Sequence, residues 1–190
     1  MTVATSHHLD PRTEAFVAEV LAAIDAHVPV LGAFLLGSAA VGGFEPRTSD
    51  VDLVAVIERA PGDRAALVES LAAIKRPVRD LELVVYVEGS QPPEFELNMN
   101  GAEERPDEPR FWFVIDAALA EERAVPVWGE RAWSDFFAPI PAERVREAMQ
   151  ESLEWSERQP AGDGFARVNA ARARHYLDHG EWITKKEAKG

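Results

Sequence analysis

The sequence predicts an α/β (α+β) protein: a domain built on a mixed sheet flanked by helices, followed by an α-helical domain. Three observations predict it. Phe16, Val17, Val20, Leu21, Ile24 and Val28 recur at helical spacing near the N-terminus. Residues 50–57 and 78–87 instead show the two-residue alternation of strands. Beyond Ile140-Pro141 the strand patterns stop and helical periodicity takes over. A sheet segment followed by a helical segment fits two layers and then a bundle, with a boundary expected between residues 1–139 and 140–190.

Each element has its own signal. Asp10-Pro11 reads as an N-cap followed by proline at the first helical position, and Pro29 closes that helix. Residues 30–36 form an apolar run that reads as a buried strand. The chain then breaks at Gly37-Ser38, crosses a loop holding Gly42, Gly43 and Pro46, and resumes as a strand at Asp50. Asp63 is placed to cap a helix with an apolar face of Leu67, Val68, Leu71 and Ile74. Residues 78–87 are the next strand. Residues 88–109 are acidic and proline-rich, a pattern expected of a solvated loop or an acidic lip, with a short edge strand around Phe95 and Leu97. A helix is expected over residues 110–123 and a short strand over 125–129, followed by an amphipathic turn at Trp133. Val145, Met149, Leu153 and Trp155 line one further helix. Another runs from Phe165 to about His179, ended by Gly180, and Thr184 could cap a last short one.

Composition narrows the function. The chain has 190 residues, 46% apolar and 28% charged, enough for a substantial core. It contains no cysteine, which excludes disulfides, zinc–thiolate sites and a cysteine nucleophile. A net charge of −13 weighs against nucleic acid as the main partner and suits a small cationic one. The N-terminus shows neither a basic region nor an apolar leader, and no apolar run is long enough for a membrane helix. A cytoplasmic protein is expected.

The chemistry concentrates in residues 35–57. Asp50 and Asp52 alternate with Val51 and Leu53, so the two carboxylates share a strand face, roughly 7 Å apart. Mg²⁺ is held by one or two carboxylates together with substrate phosphates. A Gly-Ser turn offers backbone N–H groups to a phosphate. The two features serve each other when a nucleoside triphosphate lies between them. Glu82 interrupts an otherwise apolar strand, where an acid is costly to bury without partners. It is the candidate third acid, with Asp80 on the same face as its rival. His175 and His179 stand four apart on a helix without an evident third ligand, and read as a solvated face.

Gly37-Ser38 followed by Asp50-Val51-Asp52, with an acid on a later strand, resembles the polymerase-β-type nucleotidyltransferase superfamily. Three further stretches resemble its aminoglycoside (streptomycin/spectinomycin) adenylyltransferases. They are Leu81-Glu82-Leu83-Val84-Val85, Phe113-Val114-Ile115-Asp116 with Val125-Pro126-Val127-Trp128-Gly129, and residues 169–185 with Asn169, Arg172, Tyr176, Gly180 and Lys185. The resemblance spans about residues 15–190. It implies a nucleotidyltransferase domain at residues 1–139 and a helical domain at 140–190 that is shorter than the family's. It also implies transfer of AMP from ATP to a hydroxyl of an antibiotic such as spectinomycin or streptomycin. Asp50, Asp52 and Glu82 would form the metal-binding acid cluster for two Mg²⁺ ions, about 3.5–4 Å apart in such sites. Glu82 would act mainly as general base. Gly37, Ser38 and Ser49 would meet the ATP phosphates, and Arg172 and Lys185 would neutralise the triphosphate.

Two departures bear on the acceptor. Residues 96–103 lack the tryptophan that can stack on streptomycin in that group, which leaves spectinomycin or another acceptor open. The acid expected before the arginine-bearing helix is matched by Asp163, one position out of step. The short helical domain makes either a monomer or a homodimer an expectation. Two other readings remain at this point: a nucleotidyltransferase fold acting on a protein or another small molecule, as toxin–antitoxin members do, and a non-catalytic nucleotide-binding module.

Overall fold

The structure is a computed structural model and describes residues 9–189. Residues 1–8, which carry the N-terminal pattern noted above, lie outside the described residues. Helix α1 (Pro11–His27) starts as the sequence requires: the Asp10 carboxylate accepts the N–H groups of Arg12 and Thr13. Strand β1 (Val30–Leu35) leads into a single helical turn, α2 (Gly37–Val41), and then into β2 (Asp50–Ile57). Asp63 caps α3 (Arg64–Ala73) through the Ala66 N–H, and β3 (Asp80–Val87) follows. Helix α3 supplies the crossover that a parallel β2–β3 pair demands.

The order across the sheet is β5-β4-β3-β2-β1-β6, where β4 is Leu97–Asn100, β5 is Glu103–Glu104 and β6 is Val125–Trp128. Only β2 and β3 run parallel; the other neighbours are antiparallel, so the sheet is mixed. The strand expected near Phe95 and Leu97 is β4, and it is not the edge: β5 pairs outside it. Residues 88–109 are correspondingly more ordered than a solvated loop. Arg64 on α3 binds Glu104 and reaches the Glu96 carbonyl at 2.9 Å, while Asn98 Nδ2 donates to the Arg105 carbonyl at 2.9 Å. Those contacts join residues up to 40 positions apart, beyond the reach of local pattern.

Odd-numbered residues of β2 and β3 (Val51, Leu53, Ala55, Ile57, Leu81, Leu83 and Val85) join Phe16, Leu21 and Ile24 of α1 and Leu67 and Leu71 of α3 in one core. On the other face, Val54 lies in register with Phe34, and Val56 with Tyr86. Trp133, in a 3₁₀ turn (Trp133–Asp135), packs edge-on to Phe34 with centroids 5.4 Å apart, and Phe137 packs on Tyr86 at 5.1 Å.

The chain divides into two compact units, one of residues up to Glu108 plus Leu119–Ala138, the other of Pro109–Ala118 plus residues from Pro139 onward. A single boundary near residue 140 therefore misses residues 109–118. They form the first half of α4 (Phe111–Arg123), and Trp112 packs against Trp155 and Phe165 at 5.6 and 5.9 Å. The second unit is otherwise a helical hairpin, α5 (Ala142–Glu157) and α6 (Gly164–His179). Its small buried residues, Ala148, Ser152, Ala166, Ala170 and Ala173, let the helices approach closely. Gly180, in the left-handed region with φ 73°, ends α6 as the sequence predicts. No helix among the described residues is long and apolar enough to cross a membrane.

Candidate active site

Register builds the site. β2 and β3 pair with Asp50 beside Asp80 and Asp52 beside Glu82, and residues in register on neighbouring strands share a face. The four carboxylates therefore form a two-by-two block, the strands lying about 4.8 Å apart. The block is the direct continuation of the apolar even-numbered face, one turn of the pleat beyond Val54 and Val84. The same burial requirement that sends Val51, Leu53, Leu81 and Leu83 into the core aims all four acids the other way.

The Gly-Ser turn meets this block at Asp52. The Leu36 N–H donates to the Asp52 carbonyl at 2.9 Å, which locks the end of β1 to β2. Gly37 has φ +54°, and a Cβ placed there would stand 1.9 Å from Asp52 Oδ2. The glycine is thus required twice, for its backbone region and for the carboxylate that fills the space beside it. Ser38 is half-buried on the same turn. Ser49 closes the loop ahead of β2: its Oγ accepts the Glu45 N–H at 3.1 Å, and its own N–H donates to the Glu45 carbonyl at 2.7 Å. Its hydroxyl proton is left to donate elsewhere.

Asp80 and Glu82 are distinguished by their partners. Asp80 Oδ1 accepts the Leu81 N–H at 3.0 Å, lies 3.6 Å from Arg76 Nε, and sits where a Cβ on Gly101 (φ +62°) would come within 2.7 Å. Those contacts tie Asp80 to the fold. Glu82 is exposed and faces Asp52 across β2–β3 and Asn100 across β3–β4.

Sequence reasoning missed Arg79. Its guanidinium forks onto Asp50, Nε donating to Oδ1 at 2.7 Å and Nη2 to Oδ2. The hydrogen bond to Asp50 raises the arginine pKa further; attraction to Asp50, Glu82 and Asp80 adds to it, against a cost of partial desolvation. Arg79 directly precedes a strand in register with Asp50, but that register is non-local and a single sequence does not display it.

Asp50, Asp52 and Glu82 are hard oxygen donors of the kind Mg²⁺ takes. Among the described residues no three His, Cys, Asp or Glu side chains converge as a self-sufficient metal centre. His175 and His179 stack with centroids 4.6 Å apart.

Arg172 and Lys185 belong to the helical unit. Arg172 is half-buried on α6 and its Nε donates to the Ile183 carbonyl at 3.2 Å, which draws the segment bearing the exposed Lys185 toward the helix. Thr184 and Glu187 cap the short 3₁₀ turn Glu187–Lys189 reciprocally. Asp163 has a local role, as the N-cap of α6, accepting the Phe165 and Ala166 N–H groups at 2.9 and 3.0 Å.

No protein-family model matches the chain, and no curated protein sequence does. Among solved structures, spectinomycin adenyltransferase AAD(9) from Enterococcus faecialis, solved with ATP and spectinomycin, matches with a TM-score of 0.76. The match covers 94% of this chain and 81% of that one, at 20% sequence identity. A likeness this complete at such low identity is a likeness of fold: the chain has an aminoglycoside adenylyltransferase-like fold.

Proposed function

We propose that the chain is an ATP- and Mg²⁺-dependent adenylyltransferase whose acceptor is a hydroxyl of a small cationic polyol, an aminocyclitol such as spectinomycin or a related aminoglycoside. The observation that carries this reading is the contact of Asp52 with Gly37, with Glu82 in register on the neighbouring strand. It joins the phosphate-turn candidate, a metal-ligand candidate and a base candidate in one place. The matched fold, in a protein solved with ATP and spectinomycin, supports the substrate class.

In this reading Glu82 takes the proton of the acceptor hydroxyl. The hydroxyl oxygen bonds to the α-phosphorus of ATP, the bond to the bridging oxygen of pyrophosphate breaks, and the products are an AMP ester and pyrophosphate. Asp50 and Asp52 hold Mg²⁺, which supplies charge neutralisation on the triphosphate when bound. Ser38 and Ser49 donate to phosphate oxygens. Arg172 and Lys185 are assigned to the nucleotide phosphates by the family resemblance, a role that their charge suits. The net charge of −13 would favour the approach of a cationic acceptor. A cytoplasmic location follows from the need for ATP.

The test is to incubate the protein with ATP, Mg²⁺ and a panel of aminoglycosides plus spectinomycin, following pyrophosphate release and the mass of each acceptor. One acceptor gaining a single AMP is the expected result. ATP binding without modification of any acceptor would reject the antibiotic substrate class.

A further inference from the structure

Arg79 occupies a position that the adenylyltransferase reading does not explain. Both oxygens of the Asp50 carboxylate are taken by its guanidinium fork. A divalent cation on Asp50 would need those same oxygens and would be repelled by the positive charge already there. The pair is built to part. The Arg79 side chain is 59% exposed against 13% for Asp50, so one partner is fixed in the sheet and the other lies in water. Water around the exposed guanidinium screens its side of the pair. Meanwhile the root of Arg79 is anchored: its N–H donates to the Pro46 carbonyl at 2.8 Å, in the loop between α2 and β2. A fixed backbone under a long exposed side chain permits a swing without disturbing the strands. Asp80 has Arg76 Nε 3.6 Å from its Oδ1 as a second cation.

We propose that Arg79 is a positioning residue that guards Asp50. It holds the carboxylate while the site lacks nucleotide, yields it to a divalent cation that arrives with a triphosphate, and turns its guanidinium to the phosphates. The swap is favourable because a triphosphate offers the guanidinium charged oxygens at fork spacing in place of those it gives up. The consequence is selectivity for the metal–nucleotide complex over the bare metal. This inference rests on the reading of the acid block as a metal–triphosphate site.

Two binding measurements on the full chain test it. Mn²⁺ alone is titrated by electron paramagnetic resonance. The non-transferable analogue α,β-methylene-ATP is titrated by calorimetry in excess Mn²⁺. Arg79→Met should bind Mn²⁺ alone roughly three- to fivefold tighter than wild type, the factor by which an exposed pair shifts an equilibrium. The same variant should bind the analogue roughly tenfold more weakly, having lost a charged hydrogen bond to phosphate. Arg79→Lys should fall between the two proteins on both scales. Opposite signs are the signature, because a merely structural role for Arg79 would weaken both. Equal affinities, or changes of the same sign, overturn the guard role and leave the nucleotide reading standing. If the wild-type protein binds neither Mn²⁺ nor the analogue, the reading of the site falls and the guard role with it.

Discussion

The two faces of the β2–β3 pair are made from the same sixteen residues and meet opposite fates. Odd positions are a continuous apolar surface, and every one of Val51, Leu53, Ala55, Ile57, Leu81, Leu83 and Val85 is at most 2% exposed. Even positions change character along their length. Toward the ends of the strands Val54, Val56 and Tyr86 are buried, with Phe34, Trp133, Phe136 and Phe137 on the same face. Toward their starts the same face carries Asp50, Asp52, Asp80 and Glu82. The odd face fixes register, since a slip of one residue would bury the acids. The even face uses that register to set carboxylates side by side. Stability and chemistry are thus segregated by side-chain parity, and substitutions should separate them.

The largest effect on the core face is expected from Leu83→Ala. Leu83 is fully buried at the centre of the odd face, and its truncation should cost about 2–5 kcal/mol. Denaturant unfolding checks this, with a lower midpoint as the expected outcome. A loss below about 1 kcal/mol would show that the odd face is not the one that fixes register.

Gly37→Ala should strike the other face. The new Cβ meets Asp52 Oδ2, and φ +54° disfavours alanine. Displacing a candidate metal ligand by about 1 Å should lower adenylyl transfer on the order of 10²-fold. Strain should take only about 1 kcal/mol of stability. Comparing kcat/KM with the unfolding midpoint separates the two costs.

The smallest effect lies far from either face. The hydrogen bond from Thr13 Oγ1 to the Asp10 carboxylate, with those from the Arg12 and Thr13 N–H groups, holds its pKa below the usual value of 3.8. A folded-state pKa that is depressed gives stability above the unfolded value, lost as pH falls through the folded one. Asp10→Asn keeps the cap without the charge. Its stability deficit against wild type should be constant above about pH 5 and shrink below about pH 4. A deficit independent of pH would remove the electrostatic part of the cap.

How far the sequence discloses this arrangement depends on how local each signal is. Asp10-Pro11, Asp63 and Gly180 act within a few residues, and each is found where its chemistry puts it. Alternation in β2 and β3 likewise shows that Asp50, Asp52, Asp80 and Glu82 face away from the core. What alternation does not show is which acids are neighbours. The pairing of Asp52 with Glu82 and the Arg79 fork on Asp50 span about 30 positions and exist only through strand pairing. The same reason hides β5 and the ordering around β4: Glu104 of β5 and Glu96, just before β4, read as a charge run until Arg64 is brought beside them. Asp163 belongs with the local signals: it caps α6 through the Phe165 and Ala166 N–H groups.

The segregation of chemistry from stability is tested most directly at Glu82, which is exposed and lies in register with Asp52. The measurement is the rate at which spectinomycin gains the mass of one AMP from ATP, for wild type and Glu82→Gln. The account predicts transfer by the wild type, slowed roughly 10²- to 10⁴-fold in the variant. It also predicts an unfolding midpoint within about 0.5 kcal/mol of wild type, as for other surface substitutions. Transfer by Glu82→Gln at the wild-type rate would contradict it, and the base would have to be sought elsewhere in the acid block.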